Sequence, residues 1–350
     1  MRGILTIVLA GFISLPLYAN NIDKDELEAQ IAALEPKQLT SVIVSQHNAL
    51  LFEQYYNGAQ TDDRQNIRSA SKSLTGLMFG RAIADGHFTS ENDTVLASFP
   101  ERTDLLFPSD EKSAMTFFDL LSMTNPLECD DMNNFSAGHE ERMYLQKDWV
   151  GFFLNLPTRA NPPWEPRMEE QPFGRDFAYC TAGISITAAA IERATKTTFA
   201  QYIQVALFDK LGIKETVWPY SAEGITQGGG GLSIRPIDLL KIGHLVLNKG
   251  SWNGEQLIPE SWIAKSLQSY SVAMPELNAT YGLTWWHFPY SVNDQTVDAY
   301  AAAGNGGNYL FVVPEHHIAT VITATAYNTR YMHTQAQGIF STIVLPALVH

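Results

Sequence analysis

The two ends of the chain carry the β-rich runs and the middle carries the helical ones. This split limits the fold more than any other feature. Ser41–Val44 and Leu50–Tyr56 are β-rich runs on either side of His47-Asn48-Ala49, and they read as a hairpin. Asn308–Val313 and Ile318–Tyr327 repeat the pattern around Pro314-Glu315-His316-His317. In between, Ser69–Ile83 has Leu74, Leu77, Met78 and Ile83 at helical spacing and stops at Asp85-Gly86. Phe117–Met123, Asp148–Leu156, Thr181–Ala194 and Pro236–Leu247 also read as helices. The fold class expected is α/β (α+β): an antiparallel sheet built from both termini, flanked by helices, with a mostly helical inserted subdomain. The α/β part covers about 20–83 and 206–350, and the helical part about 84–205.

Residues 1–19 read as a segment apart. Arg2 precedes an apolar run from Ile4 to Leu17, and the stretch closes on the small residue Ala19. That order is the pattern of a secretory signal peptide. Gly11 and Pro16 interrupt the run, which is shorter than the ~20 residues a membrane span requires. The remainder, 20–350, is long enough for a single domain with a real core. The expected location is periplasmic or secreted, with no stable membrane anchor.

The formal net charge is −14 and there is no basic run. Such a surface is repelled by nucleic acid and by anionic lipid, so neither is an expected partner. Cys129 and Cys180 are the only cysteines. In an oxidising compartment two cysteines are the number for one disulfide, and two free buried thiols are the alternative. The nine histidines show no metal-ligand spacing. His139-Glu140-Glu141-Arg142-Met143 starts like a zinc helix but lacks its second histidine. No metal or cofactor is expected.

Ser69-Ala70-Ser71-Lys72 stands where a helix should begin. The i, i+3 spacing puts the serine hydroxyl and the lysine amine on one face, at the end where N–H groups are unpaired and the dipole is positive. Those conditions favour an alkoxide and a lysine that gives up its proton. A plain N-cap serine beside a surface lysine would have the same spacing. The wider stretch Ile67–Thr75 resembles the first motif of the β-lactamase and penicillin-binding-protein superfamily. The branch it resembles holds class C β-lactamases, family VIII carboxylesterases and 6-aminohexanoate-dimer hydrolases. Landmarks across about residues 40–348 extend the likeness, among them Met115–Thr124, Asp148-Trp149-Val150, Gly230–Pro236 and Ser251–Gly254.

The resemblance implies roles. Phe177-Ala178-Tyr179-Cys180-Thr181-Ala182-Gly183 matches the second motif, so Tyr179 would hydrogen-bond Ser69 and relay its proton to the leaving group. A phenol suits that role only if its pKa is lowered, for example by Lys72, and a core tyrosine with a satisfied hydroxyl is the alternative. Ala302-Ala303-Gly304-Asn305-Gly306 holds the position of the third motif, without the Lys that family members use near a substrate carboxylate. The backbone N–H groups of Ser69 and Asn305 would form the oxyanion hole. Thr181, Gly304, Gly306, Asp130 and Asp131 are the expected pocket residues. By their charge, Asp130, Asp131, Glu140 and Glu141 either line the site mouth and favour cationic or amine-bearing substrates, or form a solvated loop. The reading is a serine hydrolase acting on a small-molecule ester or linear amide. The alternatives are a β-lactamase or D-amino-acid peptidase, and a non-catalytic binding protein of the same fold. Oligomeric state is left open.

Overall fold

A computed structural model describes residues 22–160 and 170–349. The expected signal peptide therefore lies outside the described residues, as does part of the proline-rich stretch Pro157–Arg175. The architecture is a mixed one. A large antiparallel sheet contains β1 (Leu39–Gln46), β2 (Ala49–Tyr55), β3 (Ser271–Met274), β4 (Ala279–Tyr281), β5 (Trp286–Val292), β6 (Gln295–Gly304), β7 (Asn308–Val313) and β8 (Ile318–Ala324). Their order across the sheet is β2-β1-β8-β7-β6-β5-β4-β3. Strands from the two ends of the chain thus meet at the β1–β8 seam, where Val42 faces Ile322 and Val44 faces Thr320.

Burial explains why the middle strands are continuous apolar runs. All eight residues of β1 are buried, as are all of β7 and β8. A strand covered on both faces has no reason to alternate. At the edge, β2 is mostly partly exposed or exposed. One face of the sheet is covered by α3 (Pro236–Leu247), where Gly243 lets the helix lie close: a Cβ there would sit 2.9 Å from Leu310 and 3.0 Å from Ala319. Proline at its first turn supplies the fixed φ that a helix start needs.

Between Asp85 and Gln204 the described residues form short helices and loops, the longest helix being α2 (Thr181–Thr195). Preceding it in the chain is α1 (Ser71–Ala84), whose first ten residues are all buried. α1 packs against α2 on one side and against the β6 end of the sheet on another. It is therefore the element at the junction of the two layers, and its N-terminus points at that junction. The sequence placed the start of this helix at Ser69. The structure starts it at Ser71, with Arg68–Ala70 forming a tight 3₁₀ turn in front.

Candidate active site

Ser69 sits in that turn, and the turn is forced. Arg68 has φ +52°, in the left-handed region that a residue with a Cβ occupies at a cost. Three bonds hold it there. The Arg68 carbonyl accepts from Ser71 Oγ at 2.6 Å and from Gly231 N–H at 3.2 Å, and its guanidinium lies 4.5 Å from the centre of the Tyr327 ring. The end of β6 closes on the same turn from the sheet. A Cβ on Gly304 would meet the Ile67 carbonyl oxygen at 2.0 Å, so only glycine lets the strand come this close.

Lys72 is one turn further along, on the inward face of α1. Its side chain is 1% exposed. Nζ donates to Ser69 Oγ at 2.8 Å and to the Gly229 carbonyl at 2.7 Å. Burial lowers its pKa to about 8, although Glu140 and Asp131 pull the other way. Gly229 belongs to the run Gly228–Gly231, in which Gly228, Gly229 and Gly231 leave no room for a side chain. A Cβ at Gly229 would be 2.7 Å from the Thr181 carbonyl oxygen. Gln227 fixes this run, its Oε1 accepting from Gly229 N–H at 2.9 Å and from Ser185 Oγ at 2.6 Å.

Tyr179 closes the group. Its hydroxyl lies beside Ser69, and Lys72 Nζ lies 4.7 Å from its ring centre. The segment that carries it is clamped: Ala178 N–H donates to the Met123 carbonyl at 2.8 Å, and the Tyr179 carbonyl accepts from Asp131 N–H at 2.7 Å. The lowered pKa that a relay by Tyr179 called for is not found. Burial pushes the Tyr179 pKa well above the ordinary phenol value, and the nearby Ser69 only partly offsets this. Burial favours the neutral form of both groups: a neutral amine at Lys72 is able to accept a proton, and a neutral phenol at Tyr179 is able to donate one.

The two cysteines are bridged, with Cα atoms 5.3 Å apart. The bridge ties the acidic loop to the start of α2 between Tyr179 and Thr181. Asp131 does the same through hydrogen bonds. Its Oδ2 accepts from Thr181 N–H at 2.6 Å and its Oδ1 from Glu140 N–H at 2.7 Å. Burial, with Glu140 nearby, raises the Asp131 pKa to about 6.

These groups border a cavity of about 400 Å³ whose wall includes Ser69, Asp131, Glu140, Tyr179, Gly304 and Asn305. Three expected pocket residues are not in that wall. Thr181 is fully buried as the first residue of α2 and contributes its N–H to Asp131 instead. Asp130 turns its carboxylate back to Met132 N–H at 2.9 Å. Gly306 adopts φ +92° in the turn after β6 and packs on the Tyr327 ring. Asn305 is held through its side chain, which donates to Asn328 Oδ1 at 2.6 Å and accepts from Asn328 N–H at 2.9 Å.

The rest of the wall was not singled out from the sequence: Met274, Leu277, Trp286, Phe288, Tyr309, Met332 and His333 come from separate segments. Only the i, i+2 placement of Trp286 and Phe288 on one strand face could have flagged them. The four-glycine run was visible, but nothing in it told that Gly229 would hold the lysine.

A large antiparallel sheet flanked by helices, with a serine and a buried lysine at the layer junction, is the arrangement of the β-lactamase fold. The chain belongs to the beta-lactamase family, whose model matches residues 31–342. It is 22% identical over 279 residues to the 6-aminohexanoate-dimer hydrolase of Paenarthrobacter ureafaciens, covering 72% of this chain; the chain spans 65% of the length of that curated relative. Among solved structures, EstCE1, a hydrolase with promiscuous acyltransferase activity, superposes with a TM-score of 0.68 at 15% identity, covering 90% of this chain and 99% of the other. A class C beta lactamase from Rhodobacter sphaeroides gives 0.62 at 15% identity, covering 92% and 98%. A D-stereospecific amidohydrolase from Streptomyces sp. gives 0.64 at 14%, covering 92% and 98%. At these identities the structural likeness is one of fold.

Proposed function

We propose that this chain is an exported serine hydrolase that cleaves a small ester or linear amide through an acyl-enzyme on Ser69. The observation that carries the reading is the 2.8 Å contact between Ser69 Oγ and a lysine whose charge is destabilised by burial. Neutral Lys72 takes the Ser69 proton as Oγ bonds to the substrate carbonyl carbon. Negative charge moves to the carbonyl oxygen, which the backbone N–H groups of Ser69 and Asn305 would hold. As the tetrahedral centre collapses, Tyr179 gives its proton to the departing oxygen or nitrogen and receives the one held by Lys72. Water then attacks the acyl ester, and the same groups return the proton to Ser69.

The cavity wall favours this over a β-lactamase or D-amino-acid peptidase. Ala302 and Ala303 stand where a carboxylate-binding lysine is used in other members. Export is supported by the bridged cysteines, since such bonds persist in oxidising compartments. Ser69→Ala should abolish hydrolysis of p-nitrophenyl esters while leaving the folded state intact by circular dichroism. A folded Ser69→Ala protein with undiminished turnover would end the proposal.

A further inference from the structure

The cavity wall carries two chemically distinct sets of residues, and together they select a substrate. Tyr179, Trp286 and Phe288 form a ladder of rings leading away from Ser69. Tyr179 stacks on Trp286 with centroids 5.6 Å apart and planes 30° apart, and Trp286 on Phe288 at 6.1 Å and 10°. Tyr281 meets Trp286 edge-on at 5.0 Å, which fixes the indole from behind. Met274, Leu277 and Met332 extend the apolar surface. The wall also includes the acidic residues Asp131 and Glu140.

Among the described residues, the wall contains no lysine or arginine. Lys72 is behind Ser69 with its donors on Ser69 and Gly229. His333 bonds through Nδ1 to Tyr309 Oη at 2.7 Å, and burial lowers its pKa, so it carries no charge at neutral pH. An anionic group entering here would lose its hydration and find no counter-charge. The two carboxylates are not equivalent. Both oxygens of Asp131 are taken by backbone N–H groups, while Glu140 is held through Oε2 alone, by the Tyr144 hydroxyl at 2.7 Å.

We infer that Trp286 and Phe288 form a subsite for a planar apolar group next to the scissile carbonyl, and that Glu140 makes the cavity reject substrates bearing a carboxylate. The inference rests on the proposed hydrolase reading and names its substrate class: uncharged esters or amides with an aromatic or similarly broad apolar group on one side of the carbonyl.

The test uses unactivated esters followed by proton release, so that no aromatic leaving group obscures the result. Ethyl acetate is the reference, ethyl phenylacetate carries a ring on the acyl side and benzyl acetate carries one on the alcohol side. One of the two aromatic esters should exceed ethyl acetate in kcat/KM by about tenfold or more. Trp286→Leu and Phe288→Leu should each shrink that ratio. For charge, ethyl valerate should exceed monoethyl glutarate at least tenfold, and Glu140→Gln should narrow the gap. Labelling of Ser69 by a fluorophosphonate, run in parallel, reads the hydrolase proposal separately. A protein that labels at Ser69 but turns over all three neutral esters equally, or hydrolyses the glutarate as fast as the valerate, overturns this inference and leaves the hydrolase reading standing. Failure to label overturns the reading beneath it.

Discussion

Replacing Lys72 by Met removes the buried amine while keeping a side chain of similar size. The structure fixes how stability should then depend on pH. In the unfolded chain the lysine titrates near its ordinary 10.5, and in the folded protein burial brings it to about 8. Below pH 8 both states are protonated and the fold bears the full desolvation cost. Between 8 and 10.5 the unfolded state binds more protons, so raising the pH stabilises the wild-type protein. From pH 7 to pH 10 the gain amounts to roughly 2–3 kcal/mol at about 1.4 kcal/mol per pKa unit. The substitution also leaves Ser69 Oγ and the Gly229 carbonyl without their donor, a cost of about 1–3 kcal/mol that does not vary with pH. Urea unfolding of both proteins, followed by tryptophan fluorescence at pH 7 and pH 10, isolates the pH-dependent part. Wild type should gain on Lys72→Met across that interval. A stability difference that stays constant would mean that Lys72 titrates normally, and the base would have to be found elsewhere.

The same shift sets the reaction profile: kcat/KM for a neutral ester should rise with pH through an inflection near 8, because only the neutral amine of Lys72 accepts the Ser69 proton. Gly304→Ala should cut kcat/KM by at least a hundredfold, since the new Cβ would drive β6 away from the Ile67 carbonyl and displace the turn that carries Ser69. Cys129→Ala/Cys180→Ala should lose ~4 kcal/mol in urea unfolding, from the 51-residue loop the bridge closes. It should also lower kcat more than it raises KM, because the bridge holds the segment carrying Tyr179.

How far the sequence went depended on the range of the interactions involved. Ser69 and Lys72 were legible because a helical turn brings them together whatever the rest of the chain does. The sheet drawn from both termini was legible because β1–β2 and β7–β8 are hairpins with local turn signals. Tyr179 depended on the motif resemblance, since the contact between it and Ser69 spans more than a hundred residues. The lowered pKa that its relay role called for is absent for a related reason. The nearby lysine could be inferred, but the burial that outweighs it is a property of the assembled fold. Thr181 was placed in the pocket because it lies two residues past Tyr179. Helix α2 begins there and turns its side chain inward. The aromatic wall was invisible because Met274, Trp286, Tyr309 and Met332 converge only when the sheet and the C-terminal helix are in place. Near the C-terminus, Phe340–Val344 is wound with i→i+5 bonds between the α-helical stretches Met332–Ile339 and Leu345–Leu348, and no sequence period marks that change.

The central claim is that Ser69 is the atom to which substrate becomes bonded. Treating the protein with a fluorophosphonate and mapping the adduct by peptide mass spectrometry tests it without assuming a substrate. A single adduct on Ser69, absent from Ser69→Ala and formed more slowly by Lys72→Met, is the predicted result. An adduct on any other residue, or none in a preparation that hydrolyses esters, would contradict the account.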